Sequence, residues 1–400
     1  MTSSEFIPFC LPDITDVEIK EVVDTLESGW LAKGPKTIEF EKKFAEYVGA
    51  KYAVAMNSCT AALHIALIAA DIGPGDEVIT TSMTFAASVN TILHVGATPV
   101  FVDIDPETGL IDVNKIEEKI TEKTKAIVPV HYAGQACDLD KIYELANKYN
   151  LFISEDAAHA IYTEYKGKRI GYQPQGTVSY SFYATKNLAT GEGGMLVTDN
   201  KEIADRARVL ITHGMSKNAW NRYGKGGSWM YDIEEPGYKY NMFDIQAALG
   251  LSQLERLEEM QNKREDLVEL YIKGLSGIKG IEIQKVNDYT TKNAWHLFIV
   301  RVTDSFPLNR DELIEYLTKN NIGTSVHFIP VHMMSAYENY RNHNDLANTE
   351  QWFTEILSLP LYSTLSLGDV EKVTKVIKEA SKGVKINEKS FSDSTPRKTF

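Results

Sequence analysis

The chain has 400 residues, of which 43% are hydrophobic and 24% are charged, a composition typical of a folded globular protein. Its formal net charge of −13 disfavours nucleic acid as a partner, because affinity for nucleic acid depends largely on Lys and Arg neutralising phosphates. The first residues, MTSSEFIPFCLPD, lack the regions of a secretion signal, and no 18-residue apolar run predicts a membrane span.

Cysteine usage indicates the compartment. The chain contains only Cys10, Cys59 and Cys137, which are too few and too scattered for a disulfide framework or a zinc site. We therefore expect reduced thiols, a cytoplasmic protein and no bound metal.

Strand-like and helix-like segments alternate from about residue 50 to residue 200. The predicted strands are KYAVAMN, DEVITTS, TPVFVDID, KAIVPVHY and LFISED, and the predicted helices are TAALHIALIAA, TFAASVNTILHVG and LDKIYELANKYN. Short apolar strands separated by helices of about 10 to 15 residues predict βαβ units and a mostly parallel sheet. Such sheets bind ligands beyond the carboxyl ends of their strands.

The pattern changes after residue 210. The aromatic, Gly-rich stretch HGMSKNAWNRYGKGGSWMYDIEEPGYKYN predicts a long loop with a functional or interface role. A helical pattern from Phe243 leads to a second unit, predicted as strand WHLFIVRVT, helix RDELIEYLTKNN, strand TSVHFIPV and helix DVEKVTKVIKEASKG. We predict a large domain over 1–250 that includes the N-terminal segment, a smaller C-terminal α+β domain over 251–385, and a disordered tail over 386–400.

Two polar groups follow predicted strands. Asp156 ends the strand LFISED, which places its carboxylate at the ligand edge of the sheet; a helix cap or a turn aspartate is the alternative. Ser58, Cys59 and Thr60 join a strand to a helix, where free N–H groups and the helix dipole favour a phosphate. A plain helix N-cap is the alternative for this second group.

A lysine stands in an unusual setting. Lys186 lies in SFYATKNLATGEGG, between a β-rich run and a loop with Gly191, Gly193 and Gly194. Glycine lets the backbone turn tightly and approach a ligand, and these glycines are expected to give Lys186 room. A solvated surface lysine is the alternative for this residue taken alone.

Together these groups match the needs of pyridoxal 5′-phosphate (PLP). This cofactor requires an amine for its aldehyde, a carboxylate for its pyridine nitrogen and an anion cradle for its phosphate. At about 4 Å and a dielectric near 20, the ion pair between carboxylate and ring nitrogen is worth about 4 kcal/mol. Phe85, in TSMTFAAS, is placed either to stack on the cofactor ring or to pack under the following helix.

Five blocks resemble the DegT/DnrJ-type sugar-nucleotide aminotransferases: SFYATKNLATGEGG, EDAAHA, NSCTAALHIAL, SGWLAKGPKTIEFE and GYKYNMFDIQAALG. The resemblance runs from about residue 25 to residue 380 and implies an α/β, type I PLP-dependent aminotransferase fold in a homodimer with shared active sites. It implies that Lys186 forms the internal aldimine and that Asp156 pairs with the pyridinium. Ser181, Cys59 and Thr60 would hold the phosphate, with Asn241 reaching in from the partner subunit.

The resemblance also implies a reaction. L-Glutamate would donate an amino group, by a ping-pong mechanism, to the keto carbon of a nucleotide-linked keto sugar. His159 and the block TSVHFIPVH are similar to the branch acting on UDP-4-keto sugars, which implies amination at C4, a contact of His159 with the cofactor and a place for His327 near the sugar. Candidates for the substrate diphosphate, each with a surface role as alternative, are Lys33, Lys217, Arg222, Lys225 and Lys239.

Other functions compete with this one. A dehydratase of the same fold carries histidine at the lysine position, so Lys186 argues against it. A nicotinamide-dependent oxidoreductase is disfavoured because no G-x-G-x-x-G follows a strand. Amination of a 3-keto sugar and a non-catalytic PLP-binding regulator stay open as alternatives.

Overall fold

The computed structural model describes residues 6–171, 175–215, 231–340 and 346–383. The helices are α1 (Asp16–Glu27), α2 (Pro35–Val48), α3 (Cys59–Ala69), α4 (Ala86–His94), α5 (Leu139–Tyr149), α6 (Lys201–Leu210), α7 (Asp244–Leu275), α8 (Arg310–Lys319), α9 (Ala347–Glu355) and α10 (Leu367–Ala380). Within the described ranges, none of these helices has the length and apolarity needed to cross a membrane.

The strands match the predicted alternation. They are β1 (Tyr52–Met56), β2 (Glu77–Thr81), β3 (Thr98–Val102), β4 (Thr124–Val128), β5 (Phe152–Asp156), β6 (Glu164–Tyr165), β7 (Lys168–Arg169), β8 (Gly176–Ser181), β9 (Gly194–Thr198), β10 (Ile281–Ile283), β11 (Thr290–Lys292), β12 (Phe298–Val302) and β13 (Ile356–Leu359). Each strand predicted between residues 50 and 156 is present.

The main sheet is mostly parallel, as predicted. In the described part of the chain it has seven strands in the order β1-β9-β8-β5-β4-β2-β3. Strand β9 is antiparallel to both of its neighbours, and the pairs β8/β5, β5/β4, β4/β2 and β2/β3 are parallel. The carboxyl ends of β1, β2, β5 and β8 therefore lie at one edge, where parallel sheets bind ligands.

A smaller sheet lies in the C-terminal part. Strands β10, β12 and β13 form an antiparallel sheet among the described residues, and α10 contacts both α7 and α8 beside it. Ile7 packs into this C-terminal core, and α7 continues unbroken past residue 250. The domain limits at residues 250 and 385 therefore stay predictions, and the predicted tail over 386–400 lies outside the described residues.

The predicted strand TSVHFIPV is wrong. Ser325 makes one isolated bridge to Ser358 of β13, and the segment continues without further pairing. Its apolar residues have a different role: Val326 and Phe328 pack on a buried cluster, and both His327 and Phe328 line a cavity. Alternation reports which side of an extended segment is apolar, and it does not by itself require a pairing strand.

Candidate active site

A cavity of about 470 Å³ opens at the carboxyl edge of the main sheet. Its walls come from the start of α3, the turn before α4, the end of β5, the loop after β8 and the segment around residue 327. The sequence-predicted residues that line it are Ser58, Cys59, Thr60, Phe85, Asp156, His159, Ser181, Lys186 and His327. Residues that are far apart in the chain thus share one site.

Asp156 is the acid at the end of β5. Its side chain is only 5% exposed. Oδ2 accepts a hydrogen bond from the Ser88 hydroxyl at 2.7 Å, and Oδ1 accepts one from the Ala158 N–H at 3.1 Å. The bond from Ala158 is the turn contact that the alternative interpretation of Asp156 expected. The same bond also orients the carboxylate in the wall of the cavity.

Lys186 reaches the cavity from the loop after β8 and is partly buried. Desolvation lowers the pKa of Lys186 to about 8, while the nearby Cys59 and Asp156 oppose the shift. Nζ lies 3.5 Å from Nε2 of His296. A surface lysine would keep its charge at this pH range, so the setting matches an amine that must be neutral part of the time.

The start of α3 offers free N–H groups. The Ser58 hydroxyl caps the helix by accepting from the Ala61 N–H at 3.1 Å. Among the described residues, the N–H groups of Cys59 and Thr60 have no hydrogen-bond acceptor. Burial holds the pKa of the Cys59 thiol well above its usual range, so this side chain adds no negative charge. The site therefore suits an anion such as a phosphate.

The glycines after Lys186 fit places where the backbone turns or meets close neighbours. A Cβ on Gly194 would lie 2.3 Å from the carbonyl carbon of Ser58, and one on Gly193 would lie 2.3 Å from Thr190 Oγ1. Gly191 has a φ of +79°, which favours glycine. Gly194 therefore brings the backbone close to the start of α3, and Gly193 packs against Thr190, Met242 and Phe182; neither of the two makes room for Lys186.

Gly194→Ala is expected to weaken cofactor binding and to destabilise the protein by about 1–3 kcal/mol, because the added methyl overpacks the start of α3. Thermal unfolding and cofactor titration measure both effects. Gly73→Ala is the control, since its Cβ would meet nothing closer than 3.8 Å. Equal behaviour of the two variants would contradict the packing argument.

Histidines form one side of the cavity. His159 Nδ1 accepts from the Ala133 N–H at 3.2 Å, which leaves the proton of the neutral ring on Nε2. Burial and the Lys186 charge hold the pKa of His159 well below its usual range. His327 pairs through Nδ1 with the Ser358 hydroxyl at 2.9 Å, and burial lowers its pKa to about 4. Both rings are therefore neutral walls of the site.

Phe85 lies at the mouth of the cavity. It precedes α4, is 62% exposed, and approaches the Phe328 ring at 5.9 Å between centroids. This exposure does not match the alternative in which Phe85 packs under the following helix. Stacking on a bound ring stays a prediction.

Three predicted site residues do not line the cavity. Lys33 is ion-paired with Glu41 at 2.9 Å, and both side chains are largely buried. Lys239 is exposed and its backbone bridges Thr212. Asn241 donates through Nδ2 to the Met242 carbonyl, while its buried Oδ1 has no partner among the described residues. The candidates Lys217, Arg222 and Lys225 lie outside the described residues.

Several residues of the site were not predicted. Ser88 orients Asp156 from one turn into α4, and His296 contacts Lys186 from the residues before β12. The remaining unpredicted wall includes Thr84, Tyr183, Glu192 and Phe328. Nothing in NAWHLF indicates proximity to Lys186.

The residues present fit PLP. An amine, a buried carboxylate and unpaired N–H groups at a helix start line one cavity, and these are the three groups that the cofactor requires.

The lowered pKa of Lys186 predicts a pH-dependent stability of the protein stripped of cofactor. Lys186 loses its proton near pH 8 in the native state but near its ordinary pKa of 10.5 when unfolded. The unfolded state therefore holds more protons between these values, and the free energy of unfolding rises with pH there. Denaturant unfolding should show this rise relative to Lys186→Met across the window; a constant difference would contradict it.

Comparisons with known proteins agree with this site. Residues 12–378 match the DegT/DnrJ/EryC1/StrS aminotransferase family. The chain is 53% identical to the spore coat polysaccharide biosynthesis protein SpsC of Bacillus subtilis (95% of this chain, 98% of that protein), and 44% identical to the UDP-4-amino-4-deoxy-L-arabinose–oxoglutarate aminotransferase of Shewanella sediminis (94% and 98%).

A solved structure adds the cofactor. Spr1654 of Streptococcus pneumoniae is described as a candidate sugar aminotransferase. The structure of its PMP-form (pyridoxamine phosphate) has a sequence 38% identical to this chain and a TM-score of 0.88, over 94% of this chain and 99% of that one. Its PLP-form is also similar, with a TM-score of 0.87. These matches confirm the predicted fold, enzyme class and cofactor. The chain belongs to the DegT/DnrJ/EryC1/StrS family and is a PLP-dependent sugar aminotransferase.

Proposed function

We propose that this enzyme transfers the amino group of L-glutamate to C4 of a nucleotide-linked 4-keto sugar. The observation that carries the proposal is the single cavity in which Lys186, Asp156 and the free start of α3 meet. The similarity to a protein named for a UDP-4-amino sugar and for oxoglutarate, the keto acid of glutamate, supports both substrates. His159 and His327 in the same cavity agree with the 4-keto branch.

Each of the chain's own site residues has a separate role in the proposed reaction. When bound, PLP supplies an electron sink for negative charge that develops on the substrate. In the proposal, the carboxylate of Asp156 keeps the ring nitrogen protonated, and the N–H groups of Cys59 and Thr60 hold the phosphate. With a pKa of about 8, Lys186 Nζ takes a proton from the donor Cα and returns one to the acceptor carbon.

The test of this proposal is a substrate panel. The enzyme is incubated with L-glutamate and UDP-, dTDP- or GDP-linked sugars bearing a 3-keto or 4-keto group, and products are identified by mass spectrometry and NMR. A new amine at C4 of one sugar supports the proposal, and initial rates should follow a ping-pong pattern. Amination at C3, or no reaction with any sugar of the panel, would overturn it.

A homodimer is part of the proposal, and α1 supports it. This helix turns polar residues inward: Glu18 is 0% exposed and pairs with Arg256 at 2.7 Å, and Thr25 is also buried. Its apolar residues face outward, with Val17 52% exposed. The other exposed apolar residues in this region are Ile14, Ile19, Val23, Leu26, Trp30, Leu31 and Ile38. Such an apolar surface is typical of a subunit interface.

The partner subunit would complete each site. Asn241 lies beside Met56 at the end of β1, and its buried Oδ1 has no partner among the described residues. We propose that Asn241 contacts the cofactor phosphate of the other subunit, and that Lys33 and Lys239 approach the substrate diphosphate there.

Mixing two inactive variants tests the shared site. Heterodimers of Lys186→Ala and Asn241→Ala should recover one working site, because one of the two sites then combines an intact Lys186 with an intact Asn241. A mixture of Lys186→Ala and Asp156→Ala is the matched control and should stay inactive, since both residues belong to the same site. No recovery in the test mixture would argue that Asn241 acts within its own chain, and recovery in the control would argue that Lys186 and Asp156 come from different subunits.

The compartment is also proposed. Cys10, Cys59 and Cys137 are all free thiols in the described structure, which supports a reducing, cytoplasmic environment.

A further inference from the structure

Lys186 has a specific neighbour besides the residues already assigned. Its Nζ lies 3.5 Å from Nε2 of His296, and no other hydrogen-bond partner of Nζ occurs among the described residues. The contact is long, as catalytic hydrogen bonds often are before a ligand binds. His296 is 6% exposed and comes from the residues before β12, so a different part of the fold presents it to the lysine.

Asn187, the residue after Lys186, determines the tautomer of His296. Asn187 donates through Nδ2 to the Ala294 carbonyl at 2.6 Å and to Gln261 Oε1 at 3.1 Å. Its Oδ1 is therefore the atom that lies 3.1 Å from Nδ1 of His296. A carbonyl oxygen only accepts, so Nδ1 carries the proton of the neutral ring and Nε2 presents a lone pair to Lys186.

The surroundings keep this ring neutral. Burial and the Lys186 charge hold the pKa of His296 well below its usual range, and Arg264 acts in the same direction. Arg264 is itself buried and donates to the carbonyls of Trp295 at 3.3 Å and Leu361 at 3.0 Å. With the positive charges of Lys186 and Arg264 nearby, the imidazole stays neutral and its Nε2 stays an acceptor.

We propose that His296 is a positioning residue whose neutral Nε2 holds the free amine of Lys186, with Asn187 setting its tautomer. The inference rests on the proposed role of Lys186 as the residue that attaches the cofactor. A free lysine side chain has many rotamers, and a fixed acceptor selects those that point into the cavity. The amine is free before the cofactor attaches and again each time a substrate amine displaces it.

Two substitutions separate this role from simple packing. His296→Gln places an amide oxygen near the position of Nε2 and keeps an acceptor for Lys186. His296→Asn places its amide near Nδ1, so it keeps the contact with Asn187 and loses the one with Lys186. Each full-length protein is stripped of cofactor and mixed with PLP, and attachment is followed by stopped-flow visible absorption.

We expect attachment to be about tenfold slower or more in His296→Asn and within about threefold of wild type in His296→Gln, the effect of one lost hydrogen bond. The affinity for pyridoxamine phosphate, which binds without the lysine, should stay within about threefold in both variants. Equal rates in His296→Asn and wild type would overturn the inference. So would a parallel loss of pyridoxamine phosphate affinity, which indicates a merely structural role.

Two further variants complete the experiment. Should His296→Asn fail to fold, Asn187→Ala decides, since it removes the group that sets the tautomer; attachment at the wild-type rate would then overturn the inference. Lys186→Ala tests the underlying proposal separately. Covalent attachment that persists in Lys186→Ala would refute the assignment of the lysine, whichever result His296 gives.

Discussion

Lys186→Ala is expected to lower the rate of amino transfer by about 10⁴-fold or more, because the residue is proposed both to attach the cofactor and to move the proton. The purified variant should also lack the yellow colour of covalently attached cofactor. Visible absorption and the rate of the glutamate half-reaction measure the two effects. Among the described residues that line the cavity, Lys186 is the only lysine, and none is an arginine.

Lys201→Ala is the matched control for this experiment. Lys201 is exposed at the start of α6, and within the described ranges its ion pair is with Asp205 on the next turn, at 2.7 Å. Its loss should leave colour and rate unchanged, since exposed pairs of this kind contribute little. A colourless Lys186→Ala protein that still aminated sugars at the wild-type rate would contradict the assignment.

Asp156→Asn is expected to lower the rate by about 10³-fold, because the pair with a protonated ring nitrogen is worth about 4 kcal/mol. The substitution preserves shape: the amide oxygen can still accept from the Ala158 N–H, and its nitrogen can donate to the Ser88 hydroxyl. The loss is therefore one of charge. Steady-state kcat/KM and cofactor retention on dialysis measure it.

Ser88→Ala provides the comparison for Asp156. It removes one neutral donor to Oδ2 and leaves the carboxylate charge in place, so we expect about a tenfold effect or less. Near-normal turnover in Asp156→Asn would contradict the pyridinium role. Equal losses in the two variants would show that orientation of the carboxylate, rather than its charge, is what matters.

Much of the sheet could be predicted because its signals are local. A short apolar run such as LFISED forms β5, and the following helical pattern identifies the next crossover. Once the strands are parallel, their carboxyl ends must share an edge, which brings Asp156 and Ser58 together without any knowledge of side-chain packing. The predicted strand TSVHFIPV was wrong because alternation is a local signal, whereas a strand must also pair along its length, and the described segment makes one isolated bridge, from Ser325 to Ser358.

The glycine loop shows a second kind of limit. Gly191, Gly193 and Gly194 indicated a special backbone, and that was correct. Their purpose depended on what lies opposite, and only the folded chain shows that Gly194 meets the carbonyl carbon of Ser58, well over a hundred residues away. Similarly, the ion pair between Lys33 and Glu41 depends on how the chain folds and could not be predicted from the sequence.

The sequence by itself determined the order of strands and helices along the chain, the enzyme family and the main chemical groups of the site, because each depends on short motifs or on periodicity. Only the tertiary structure decided that His296 reaches the cavity, that Asn187 sets its tautomer, and that α1 turns its apolar face outward. The physical reason is range: backbone preference acts over a few residues, whereas contacts between side chains depend on how whole elements pack.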